Sequence, residues 1–136
     1  MKVKLSDIID AMEETSQDSE FFLDKETGEI VWLNDMIMER DEFEEISELL
    51  DEHGCCRLPT SMEIHDYDIM VDFVNAQSGE VFDRLASAIK GRGAFRRFRE
   101  TLSWFGKEQD WYDFKAAAYK GIAIRWCEEN DIEFDE

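Results

Sequence analysis

Proline, cysteine, histidine and cationic side chains are all scarce in this chain, and each shortage removes a class of explanation. The single proline, Pro59, is one of 136 residues. No repeat, low-complexity tract or Gly/Ser-rich linker divides the sequence, so it reads as one domain over residues 1–136. The three cysteines are Cys55, Cys56 and the distant Cys127. An odd count without a secretion signal is no disulfide framework. With His53 and His65, Cys55 and Cys56 form the one soft-ligand cluster. Adjacent cysteines rarely both turn to one zinc ion, so no metal and no cofactor is expected.

Long apolar runs are missing too. Nothing approaches the roughly 18 residues of a membrane span, so no membrane partner is expected. The opening MKVKLSDIIDAMEE turns acidic at once and lacks the apolar core of a signal peptide. A cytoplasmic location is the expectation. The seven glycines include no third glycine after Gly91-Arg92-Gly93 and no GK[ST] step, so neither a dinucleotide nor a P-loop fingerprint is present. No HExxH, Ser-His-Asp or His–Cys arrangement is suggested by local spacing. The reading leans away from an enzyme.

Cations are outnumbered: 15 Lys and Arg stand against 34 Asp and Glu, a net charge of -19. The imbalance is uneven. Residues 1–83 carry 24 acidic against 5 basic side chains, whereas residues 84–136 carry 10 of each. A uniformly acidic surface would repel nucleic acid; a segregated one can repel on one face and bind on another.

Folding material is plentiful. Hydrophobic residues make up 43% of the chain, with 10 Phe, 4 Trp and 3 Tyr, which argues against disorder. Ser6 is placed to cap a first helix to about Thr15, with Asp7 at its positive end. The runs Glu20–Asp24 and Glu29–Leu33, joined by Lys25-Glu26-Thr27-Gly28, predict a β-hairpin. Two strands alone are marginal, so a further strand or a helix must cover them. Phe43, Ile46, Leu49 and Leu50 predict a helix over 41–53 that Gly54 stops. Residues 55–59 read as an extended connector. Helices are predicted over 65–75, from a Ser78 cap to Gly91, over 94–105, and over 109–129 with Trp111, Phe114, Ala118 and Ile122 inward. Residues 132–134 read as a short strand. The fold class is α+β: an N-terminal helix and hairpin, then a mainly helical part.

Five cations crowd into Lys90–Arg99, KGRGAFRRFR. On a helix from Ala94, the side chains Phe95, Phe98, Leu102 and Phe105 span about 80° of arc and face a core. Arg92, Arg96 and Arg99 form a second row about 100° away, and Arg97 points elsewhere. A glycine-led helix start has free N–H groups that favour anions, and guanidinium groups grip phosphate or carboxylate. The candidate anion- or partner-binding residues are therefore Lys90, Gly91, Arg92, Gly93, Arg96, Arg97 and Arg99. The competing reading pairs these arginines with carboxylates of the acidic part. Trp104, Trp111, Tyr112, Phe114 and Tyr119 interleave with lysines, a pattern that stacks on single-stranded bases, but at helical spacing they read as core. Clustered carboxylates at 41–48 and 66–72 read as solvated faces.

GRGAFRRFRETL, then WYDF and AIRWCEENDI, together with FFLDKETGEIV, resemble a bacterial family of small acidic proteins, Uncharacterised Protein Family 0158. The resemblance covers most of the chain and is most specific over 91–132. It implies a bacterial protein and carries over no catalytic residue. Cys127 stands where the family resemblance leads one to expect leucine. The reading is a non-enzymatic binding or regulatory module whose arginine surface takes a protein or an anionic ligand, with nucleic acid not favoured. Two others stay open: an acidic nucleic-acid mimic seated in a basic groove, and an enzyme acting on a phosphorylated or carboxylated small molecule.

Overall fold

The computed structural model of the chain describes residues 2–136. The elements are β1 (Lys2–Lys4), α1 (Leu5–Glu14), β2 (Ser19–Asp24), β3 (Ile30–Asn34), α2 (Arg40–His53) and β4 (Cys55–Arg57). They continue with α3 (Ser61–Ile64), α4 (Asp66–Asn75), α5 (Gly79–Ala88), α6 (Ala94–Phe105), α7 (Glu108–Glu129) and β5 (Glu133–Asp135). The class is α+β, with helix and strands first and a mainly helical part after them. Two compact units form: residues up to Ile64 with Tyr119–Glu136, and His65–Ala118. Helix α7 contributes to both.

The first unit is organised by the hairpin. β2 and β3 run antiparallel, with Ser19 opposite Asn34 and Leu23 opposite Ile30. Asp24 shapes the turn: its Oδ1 accepts the backbone N–H of Glu26 at 2.8 Å and of Thr27 at 3.2 Å. Gly28, at φ 77°, supplies the left-handed residue. At the other end Asn34 Nδ2 donates to Ser19 Oγ at 2.8 Å, and Asn34 Oδ1 accepts the N–H groups of Met36 and Ile37. These bonds satisfy polar side chains that would be costly to bury alone. The third strand is β4, where the sequence suggested only a connector. It pairs antiparallel with β2, Cys56 opposite Leu23. Gly54, at φ 80°, ends α2 and turns the chain into it. Trp126 on α7 donates from Nε1 to the Arg57 carbonyl at 2.9 Å, engaging β4 from the same unit.

The chain also opens in a strand rather than a coil. β1 pairs parallel with β5, Val3 opposite Phe134. That pairing holds Lys4 extended at the cap position, so α1 begins at Leu5 and Ser6 lies inside its first turn, making no cap bond. Leu5, Ile8, Ala11 and Met12 are its buried side.

The second unit is an aromatic-centred helical cluster. The Phe73 ring meets Phe98 edge-on at 6.0 Å and Trp111 at 5.4 Å, and Phe98 meets Trp111 at 4.9 Å. Such edge-to-face contacts contribute beyond the area they bury. Met70, Leu85 and Leu102 complete the interior. Ser78 stands at the α5 cap position but makes no side-chain cap bond. Gly106, at φ 66°, ends α6, with Lys107 N–H donating to Leu102 O at 2.9 Å and Gly106 N–H to Ser103 O at 3.3 Å. That pair is a Schellman closure.

On α7 the buried side differs from the single stripe anticipated. Trp111, Tyr119, Ala123, Trp126 and Cys127 are buried, while Phe114, Ala118 and Ile122 are half-buried. At about 100° per residue the seam drifts by roughly 100° along the helix. A helix that serves two units in succession has no reason to keep one inward face.

Candidate anion- and partner-binding surface

The surface begins where α5 ends. Ala88 is the last helical residue and Ile89 the C-cap. The connector Lys90-Gly91-Arg92-Gly93 follows, with Gly91 at φ 74° and Gly93 at φ 75°. Two left-handed residues let the chain reverse within this short stretch, so that α6 starts at once and packs against α5.

Helix α5 leaves carbonyls to satisfy, and side chains of the second unit take them up. Tyr67 Oη donates to Ile89 O at 2.9 Å. Arg97 Nε donates to Ala88 O at 2.9 Å, while its Nη1 and Nη2 donate to the carbonyls of Arg92 and Lys90. Its positive charge also sits at the negative end of the α5 dipole. Arg97 is therefore half-buried and committed to backbone, and it joins α5, the connector and α6 in one clasp. A Cβ on Gly93 would lie 3.0 Å from Arg97 Nη1, so the second glycine also makes room for the clasp.

Lys90, Arg92, Arg96 and Arg99 behave differently. All four are exposed. Among the described residues none of them makes an ion pair, whereas Lys2, Arg40, Arg57, Arg84, Lys107 and Lys120 each meet a carboxylate. Within the second unit, among the described residues, these arginines meet no carboxylate. The row is left open in a chain with 34 acidic residues.

Apolar surface flanks it. Phe95 is 40% exposed and stands edge-on to Tyr67 at 6.4 Å. Between α6 and α7 a cavity of about 310 Å³ is lined by Arg99, Leu102, Glu108, Trp111, Tyr112 and Lys115. Trp111 and Tyr119 are buried as anticipated, but Trp104 (82% exposed) and Tyr112 face solvent. Trp104 follows Arg97 and Glu100 on the opposite flank of α6 from Phe95, clear of the Phe98 and Leu102 side. Exposed Trp, Tyr and Arg are residue types enriched at binding hot spots.

The second polar cluster lies in the first unit. His53 Nδ1 is 2.8 Å from Asp24 Oδ2, and its Nε2 is 3.3 Å from Glu26 Oε2. The hydrogen bond to His53 holds the Asp24 carboxyl below its ordinary range, helped by the N–H groups of Glu26 and Thr27 and opposed by burial. The same bond raises His53. Burial pushes Cys55 up, with Asp51 adding to it, and pushes Cys127 up to about 11, so both stay thiols near neutral pH. His65 instead bonds Asp68. Among the described residues no group of three or more His, Cys, Asp or Glu side chains could hold a metal ion, and no helix is long and apolar enough to cross a membrane.

The fold and this surface define an acidic α+β protein with an open row of guanidinium groups on its helical part. The chain belongs to Uncharacterised protein family (UPF0158), which it matches over residues 1–136. No curated protein and no solved structure matches it.

Proposed function

We propose that the chain is a binding module and that Arg92, Arg96 and Arg99 form its contact row for a carboxylate-bearing protein partner. One observation carries the reading: these guanidinium groups are exposed and unpaired although carboxylates outnumber cations more than twofold. Guanidinium forks match carboxylates in two-point geometry. Phe95 and Tyr112 add apolar area on the same side of α6 as Arg99. Lys90 extends the positive strip; Gly91 and Gly93 shape the connector; Arg97 holds it. The protein partner is favoured over nucleic acid because a net charge of -19 repels a polyanion, whereas a short acidic segment engages the row locally.

The test is a binding titration at about 0.1 M salt, where charges beyond about 10 Å are screened. A labelled Asp/Glu-rich peptide, a single-stranded oligonucleotide and inorganic phosphate are each titrated into the wild type and into Arg96→Gln/Arg99→Gln. The peptide binds most tightly and loses at least about tenfold, or 1.4 kcal/mol, in the double variant. Absent peptide binding, unchanged binding in the double variant, or tighter oligonucleotide binding would each overturn the proposal.

A further inference from the structure

The chain carries a second unpaired row, of the opposite sign. On α2, Asp41, Glu45, Glu48 and Glu52 fall within about 60° of helical arc, and all four are exposed. Among the described residues none of them makes an ion pair; on that helix Arg40 meets Glu44 at 3.1 Å, and His53 meets Asp24 and Glu26. Leu49 stands beside the row and is 51% exposed, and Met36 and Ile37 project just before the helix, 74% and 73% exposed.

The two rows match. On α2, Glu45 and Glu48 stand three residues apart, and so do Arg96 and Arg99 on α6, with Arg92 in the connector just ahead of it. Three residues of helix rise about 4.5 Å, so these two carboxylates and two guanidinium groups are evenly spaced when the helices are laid together. Each row also has an exposed apolar companion, Leu49 on one side and Phe95 on the other. A purely electrostatic rim contributes little, but a charged row beside an apolar contact has the anatomy of an interface.

We propose that α2 of one copy docks on the Arg92–Arg96–Arg99 row of a second copy, so that the module's carboxylate-bearing partner is this chain itself. The inference rests on the reading of that row as a binding surface and names its occupant. Long-range and short-range electrostatics oppose each other here. Two copies at -19 each repel at low ionic strength, where the Debye length reaches about 30 Å at 0.01 M, while at 1 M salt it falls to about 3 Å and the row contacts weaken. Self-association therefore passes through a maximum near about 0.1 M, a profile that purely apolar association lacks.

The experiment is sedimentation velocity of the full chain from about 5 µM to about 500 µM at about 0.01, 0.1 and 1 M salt. It is run on the wild type, on Arg96→Glu/Arg99→Glu, on Glu45→Lys/Glu48→Lys, and on an equimolar mixture of the two variants. The wild type gains mass with concentration, most at the middle salt. Each variant alone sets like charges against each other and associates at least about tenfold more weakly. The mixture restores association, because both contacts are again complementary. The altered side chains are exposed, and far-ultraviolet circular dichroism confirms the fold; if a reversal does not fold, Arg96→Gln/Arg99→Gln and Glu45→Gln/Glu48→Gln replace the pair and each must weaken association. A wild type that stays monomeric throughout, association indifferent to either row, or a mixture of folded reversals that fails to recover would overturn the inference. A monomeric wild type that still binds the acidic peptide through Arg96 and Arg99 would refute the second copy and leave the surface standing.

Discussion

Replacing Arg97 by alanine separates the arginine that builds the structure from those that face solvent. Three guanidinium bonds are lost at once: Nε to Ala88 O at 2.9 Å, and the Nη bonds to the carbonyls of Lys90 and Arg92. Hydrogen bonds involving a charged group contribute about 1.5–3 kcal/mol when water is excluded. The Ala88 bond is partly buried and the other two are exposed, so the first contributes most and the other pair a few tenths each, about 2 kcal/mol together. For a chain of this size that lowers the melting temperature by about 6–8 °C. Arg96→Ala and Arg99→Ala remove exposed, unpaired side chains and change stability by less than about 0.5 kcal/mol. Urea unfolding followed by circular dichroism measures all three. Amide exchange adds a local readout, since the last turn of α5 should lose protection in Arg97→Ala alone. An Arg97→Ala variant within about 0.5 kcal/mol of the wild type, or no more destabilised than Arg96→Ala, would refute the clasp.

Other perturbations test the remaining joints. Gly93→Ala places a side chain at φ 75° and 3.0 Å from Arg97 Nη1, whereas Gly91→Ala, at φ 74°, meets nothing within 4 Å; both cost about 1 kcal/mol of backbone strain, and Gly93→Ala costs more in the same unfolding assay. Phe98→Ala empties the centre of the Phe73–Phe98–Trp111 cluster and costs about 3–5 kcal/mol, read as a large loss of melting temperature with weakened near-ultraviolet circular dichroism. The His53–Asp24 pair predicts a pH dependence of definite sign. His53 is raised above 6.5, so its contribution is full below that value and fades as pH rises through the raised one; Asp24 is lowered from 3.8, so its contribution is present above that value and fades as pH falls through the lowered one. The stability advantage of wild type over His53→Gln therefore shrinks as pH rises above 6.5, and a pH-independent gap in melting temperature would contradict the pair.

Local chemistry explains what could be read from the residues alone. The termini of α6 follow from Gly93 and Gly106, and the inward turn of Phe98 and Leu102 from their spacing; Phe95, expected on the same core face, is 40% exposed, and Arg92 lies in the connector rather than on the helix. The hairpin follows from two aromatic-rich runs around Lys25–Gly28. The misses are non-local. β1 and β4 are three residues each, too short for a period to register, and exist because distant partners pair with them, whereas the alternation at 132–134 does point to β5. The drift of the α7 seam reflects its use by two units. Arg97 could be placed off the exposed row, but its targets are carbonyls of the preceding helix end, which no spacing rule reveals. The Asp24–His53 bond joins residues 29 apart through the pairing of β2 with β4 beyond Gly54. Trp104 and Tyr112 have helical spacing suited to a core and nevertheless face solvent, because the interior of the second unit is filled by Phe73, Phe98, Leu102 and Trp111.

A residue-resolved titration reads the arginine surface itself: ¹⁵N-resolved spectra, including the arginine Nε–H signals, recorded while an Asp/Glu-rich peptide is added at about 0.1 M salt. Shifts are expected to concentrate at Arg92, Phe95, Arg96, Arg99 and Tyr112, with the Arg97 Nε–H signal held in place by its bond to Ala88. Shifts centred elsewhere, or none at saturating peptide, would contradict the proposed contact row.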